Sequence, residues 1–138
     1  MAYPQVSFSN TDALLTITNA LPTQGNTVAS SSIDLGIANP VLAGTHSDFQ
    51  IAAPDGAALT TGQTLTFTIQ DSADNSSFLA VNTLPTYVVT GASNLVPVGS
   101  NRTYRLPPNI RRYVRVHCAA SATAGTSASN SYTAFVLT

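Results

Sequence analysis

Arg102-Thr-Tyr-Arg-Leu-Pro-Pro-Asn-Ile-Arg-Arg-Tyr-Val-Arg-Val-His-Cys118 carries all five positively charged residues of the chain, its only cysteine and one of its two histidines. From Arg112 to Cys118 the stretch alternates: Arg112, Val114, Val116 and Cys118 fall on one side of an extended chain, Tyr113, Arg115 and His117 on the other. A period of two over β-prone residues predicts a strand with one face on a core. Pro107-Pro108-Asn109 interrupts pairing before it and predicts the turn that feeds the strand.

Working outward, the same alternation recurs. Thr64–Gln70 sets Leu65, Phe67 and Ile69 against threonines and a glutamine, the clearest strand of the chain. Further strands are expected at 12–18, 29–35, 48–53, 78–81, 87–90, 95–98, 102–106 and 131–138. Asp71–Asn75 reads as a polar loop, Pro54-Asp55-Gly56 as a turn, and 119–130 as an Ala/Ser/Thr/Gly-rich loop. Residues 1–10 read either as an extended arm, with Val6 and Phe8 alternating against serines, or as an edge strand. Eight to ten short strands with turn signals every roughly 8–15 residues and no helical period predict an all-β sandwich or barrel. At 138 residues, with no repeat or linker, the expectation is a single domain, 1–138.

Composition narrows the function classes. The chain has no lysine and no glutamate, 15 serines, 19 threonines, ten asparagines and a net charge of −1. With 43% hydrophobic residues it is too apolar for a disordered segment. A surface so poor in charge suits one covered by neighbours. One cysteine gives no disulfide framework. The N-terminus lacks a charged and apolar leader, and no apolar run reaches the roughly 18 residues of a membrane span, so a cytoplasmically made protein with no membrane partner is expected.

No catalytic constellation stands out. His46 lies in a loop, His117 on the outer side of a strand, and no serine occupies a Gly-x-Ser-x-Gly elbow. The expectation is a non-enzyme without cofactor or metal. Asp71, Asp74 and Asn75 are oxygen donors of the kind that ligate Ca²⁺, though side-chain closure of a loop between strands accounts for them better. Arginines without lysine, at net charge −1, leave too weak a field for nucleic-acid binding.

Four segments together carry a resemblance: Asp-Ala-Leu-Leu (12–15), Ile-Asp-Leu-Gly (33–36), Thr-Leu-Thr-Phe-Thr-Ile-Gln-Asp-Ser-Ala-Asp-Asn-Ser-Ser-Phe (64–78) and Tyr-Arg-Leu-Pro-Pro-Asn-Ile-Arg-Arg-Tyr-Val-Arg-Val (104–116). In this order the chain resembles the capsid cement, or decoration, proteins of tailed bacteriophages. The resemblance implies a jelly-roll-like antiparallel β-sandwich of about eight strands. It also implies a homo-oligomer, dimer or trimer, made in the bacterial host cytoplasm, that binds the major capsid protein lattice on the exterior of the virion and stabilises it. Ser-Ala-Asp-Asn…Phe followed by Arg-Arg-Tyr-Val-Arg-Val is similar also to discoidin-type jelly rolls, whose function is carbohydrate binding. The absence of tryptophan, the best stacking platform for a sugar, counts against that alternative.

Candidate capsid or oligomer contacts follow from pattern and charge. Tyr132–Leu137 is apolar on both faces, which offers Tyr132, Phe135 and Leu137, and the N-terminal stretch offers Tyr3, Val6 and Phe8. All six aspartates lie within the first 74 residues and all five arginines at 102–115. Arg111, Arg112 and Arg115 are therefore expected either to pair with aspartates of their own chain near Asp71–Asp74 or to meet carboxylates of a neighbour.

Overall fold

Leu65, Phe67 and Ile69 lie opposite Ala120, Cys118 and Val116 on a neighbouring strand, and all six side chains are buried. This pair is the centre of one sheet of a two-sheet sandwich. The computed structural model describes residues 15–36 and 48–137. Among them are ten strands and no α-helix: β1 (Thr16–Ala20), β2 (Thr27–Ala29), β3 (Ile33–Asp34), β4 (Asp48–Ala52), β5 (Thr64–Ser72), β6 (Leu79–Ala80), β7 (Tyr87–Thr90), β8 (Asn101–Arg105), β9 (Tyr113–Ala120) and β10 (Ser131–Leu137). The expected arm, the start of the first strand, Asp12 and His46 lie outside the described residues.

All strand pairs are antiparallel. One sheet runs β1-β10-β4-β8; the other runs β2-β9-β5-β6, with β3 also on β9 and β7 also on β5. β2 and β3 share one edge of β9, as β6 and β7 share one edge of β5, so ten strands fill eight positions. Numbered by position, the sheets read 1-8-3-6 and 2-7-4-5, in which the first and last strands pair and the chain crosses between sheets at every step except 4 to 5, which is a pair within one sheet. That winding is the jelly roll.

The core between the sheets is one cluster. Phe49 and Ile51 of β4, Tyr132, Ala134 and Val136 of β10, and Ile17 of β1 meet Leu65, Phe67, Val114, Val116 and Cys118 from the other side. Tyr132 packs edge-on against Phe67, ring centroids 5.2 Å apart. Burying an aromatic or branched side chain here contributes roughly 1.5–3 kcal/mol each, which is why the strict alternation of β5 and β9 sets the register.

Loops 21–26, 53–63, 91–100 and 121–130 gather at one end and are tied by backbone hydrogen bonds. Leu21 N–H donates to Asn130, Gly25 to Ser121, Thr60 to Ala124, Gly62 to Gly91 and Val96 to Ala57. The Thr126 hydroxyl donates to the Pro22 carbonyl at 2.5 Å. Asp55 is the single charged residue in those four loops.

Three expectations change. Residues 95–98 are not a strand: Ser93 and Asn94, both at positive φ, make a tight turn that bridges Ala92 to Leu95. Asp71 is not in a loop but near the end of β5, on its buried side. Tyr132 is not at the surface. It is 0% exposed and, with Ala134 and Val136, forms the inner side of β10, so it leaves the set of candidate contacts.

Candidate interface site

Arg111 and Asp71 form the most enclosed ion pair among the described residues. The Arg111 backbone N–H donates to Asp71 Oδ2 at 3.0 Å, while Nε and Nη2 donate to Oδ1 at 2.9 and 2.6 Å. Nη2 also donates to the Asp71 carbonyl at 2.6 Å. The turn at Pro107–Ile110, closed by the Ile110 N–H on the Pro107 carbonyl, delivers Arg111 to the end of β5. The carboxylate thus fastens the segment before β9 to β5.

Arg112 holds Asp34 through two parallel bonds, Nε to Oδ1 at 2.8 Å and Nη2 to Oδ2 at 2.9 Å, with both side chains about half exposed. Asp34 also accepts the Gly36 N–H. The Arg112 guanidinium first, and this N–H second, hold the Asp34 carboxyl below its ordinary value. Arg105 meets Asp48 more loosely, at 3.5 Å across the β4–β8 pair.

Arg115 behaves differently. It projects from the outer face of β9 beside Gln70 of β5, and its Nε donates to Gln70 Oε1 at 2.8 Å. Its guanidinium carbon lies 4.1 Å from the centroid of the Phe78 ring. Tyr113 and His117 flank it on the same face of β9. Arg102 likewise stacks on Tyr104, at 4.9 Å. Neither Arg115 nor Arg102 meets a carboxylate among the described residues. Arg102 was not a sequence candidate, although its i, i+2 spacing to Tyr104 on a strand was visible. The Phe78–Arg115 stack was not, because it depends on which strands become neighbours.

Asp74 closes its own loop, accepting from the Ser77 N–H, the Ser72 hydroxyl and the Ser76 N–H. These donors lower its carboxyl to a pKa of about 2. Asn75 accepts from the Ser32 hydroxyl. With Asp71 given to Arg111, the three oxygens considered for Ca²⁺ have separate tasks. Among the described residues no three His, Cys, Asp or Glu side chains gather as a metal site. Cys118 is buried, and desolvation pushes its thiol up to about 12.

Phe135 and Leu137 occupy the outer side of β10, half-buried, opposite Gln50 and Asp48 of β4. They belong to the other sheet from Arg111, Arg112 and Arg115, so the candidate contacts do not form one patch. Tyr3, Val6 and Phe8 lie outside the described residues. A cleft of about 270 Å³ lies beside the Asp71–Arg111 pair, lined also by Ala80, Val81, Asn82, Thr83 and Asn109. It contains no aromatic ring.

The fold places the chain in the class of jelly-roll sandwiches to which viral capsid proteins belong. The structure of tomato aspermy virus matches with a TM-score of 0.51 at 10% identity, over 99% of this chain and 85% of that one. At that identity the likeness is one of fold. Weaker likenesses, to PirA (TM-score 0.43, 15% identity, 92% of this chain and 95% of that one) and to the cowpea mosaic virus empty particle (0.42, 10%, 99% and 82%), add nothing to it. The family is more specific: the Bbp16 model matches residues 18–136, and the chain belongs to the Bbp16 family, whose name is phage-related. No curated protein matches the sequence.

Proposed function

We propose that this chain is a structural cement, or decoration, protein that binds the outer surface of an assembled phage head and stabilises it, acting as a homo-oligomer, dimer or trimer. The observation that carries the reading is the surface. It lacks lysine and glutamate, it ties three of its five arginines to its own aspartates, and it leaves Leu79, Val88, Leu95 and Val98 exposed, Val98 by 87%. Such a surface lies against a protein lattice without burying unpaired charge, which is costly. Many modest contacts repeated over one shell then sum to firm attachment. Jelly-roll architecture and a phage-related family support the same reading.

A second reading, carbohydrate binding, has one observation in its favour: the cleft beside Arg111, with the side chains of Asn82, Thr83 and Asn109. Co-sedimentation with purified empty heads that lack the protein separates the two. A cement protein pellets with the heads, raises their melting temperature and ignores a glycan array. Glycan binding without head binding would replace the proposal with the second reading, and a strictly monomeric mass by light scattering would remove its oligomeric part.

A further inference from the structure

The five arginines differ in what they already hold. Arg111, Arg112 and Arg105 each face an aspartate of their own chain, whereas Arg115 and Arg102 lie on aromatic rings with no carboxylate among the described residues. Arg115 is the better prepared of these two. Its side chain is half-buried along the sheet, Gln70 fixes Nε, and Phe78 supports the guanidinium plane, so both terminal nitrogens sit on a fork with little freedom left to lose. Gln70 supplies a neutral oxygen where a glutamate would have satisfied the charge.

Resting on the cement reading, we propose that the outer face of the β2-β9-β5-β6 sheet, centred on Arg115, is the surface applied to the head, and that Arg115 receives an aspartate or glutamate carboxylate of the lattice protein. Charge complementarity selects this occupant. An arginine fixed on Phe78 with no carboxylate among the described residues, and with Tyr113 stacked under Arg112 on the same edge of the face, has the arginine–aromatic composition of an interface centre. A polyanion such as nucleic acid does not fit, because the chain has no lysine and, among the described residues, only two arginines without a carboxylate to supply a field. The planar fork takes a carboxylate through two parallel bonds, which sets the orientation of the protein on the shell as well as its affinity.

The test compares wild type, Arg115→Gln, Gln70→Glu and Arg105→Gln for melting temperature, free mass and binding to empty heads that lack the protein. Arg115→Gln is expected to weaken head binding by at least about tenfold with the mass of the free protein unchanged. Gln70→Glu offers Arg115 a carboxylate from its own chain. It is expected to keep or raise the melting temperature while also weakening head binding, which keeps the test decisive should Arg115→Gln fold poorly. Arg105→Gln, on the other sheet, should bind as wild type does. If wild type binds heads and both Arg115→Gln and Gln70→Glu bind equally well, the Arg115 assignment is overturned and the cement reading stands. If Arg115→Gln alters the free mass and leaves head binding intact, a second copy occupies the face and the assignment is again overturned. If wild type itself does not bind, the cement reading fails first.

Discussion

Asp71 and Asp74 sit three residues apart and have unlike roles. Asp71 is buried at the end of β5 and takes Arg111 through its carboxylate and its carbonyl together. Removing either partner strands the other in a half-dry site. Breaking a buried pair from one side costs roughly 3–5 kcal/mol; with about a third of the Arg111 side chain exposed, Asp71→Ala should cost about 2–3 kcal/mol. Chemical denaturation measures it, and a change below about 0.5 kcal/mol would mean that the contact does not fasten the segment. Asp74, by contrast, holds two backbone N–H groups and the Ser72 hydroxyl near the surface, a contribution present at neutral pH and removed by acid.

At the level of elements, the loop between β7 and β8 is held by backbone contact more than by side chains. Gly91 N–H donates to the Gln63 carbonyl and its own carbonyl accepts from Gly62, so this short segment lies flat against residues 59–63. A Cβ at Gly91 would press into the carbonyl oxygens of Leu59 and Thr60, neither of which can rotate away. Gly91→Ala is therefore expected to destabilise by about 1–3 kcal/mol through forced backbone shifts. Gly56→Ala serves as a comparison, since a Cβ there meets open space and only its positive φ opposes the change. Equal melting temperatures for wild type and Gly91→Ala would show that the loop yields freely.

Over the whole molecule, charge is sparse enough for single carboxylates to govern acid stability. Asp74, at about 2, and Asp34, also lowered, both titrate below their ordinary value of 3.8. The unfolded chain therefore takes up protons first as pH falls. The stability these groups contribute is complete above about pH 4 and is lost as pH drops through their folded values toward 2. Thermal melts from pH 7 to pH 2 should stay level with respect to these groups and then fall below pH 4. Asp74→Ala should shrink that fall, and an unchanged acid slope in the variant would refute the assignment.

Alternation in 64–70 and 112–118, the Pro-Pro-Asn turn and the lack of helical period were sufficient to read an all-β sandwich, because side-chain direction in a strand follows directly from spacing. The uneven run of six aspartates before five arginines was equally plain. Which aspartate takes which arginine was not, since Arg111 reaches Asp71, and Arg112 reaches Asp34, only once β9 lies between β5 and β3. Tyr132 illustrates the same limit. In a strand apolar on both sides, spacing names two faces without saying which is inner, and only the packing of β10 against Phe67 chose Tyr132, Ala134 and Val136 over Phe135 and Leu137. Local pattern determined most of the strands of this protein, while contacts between strands far apart in the chain decided which arginines have no carboxylate among the described residues.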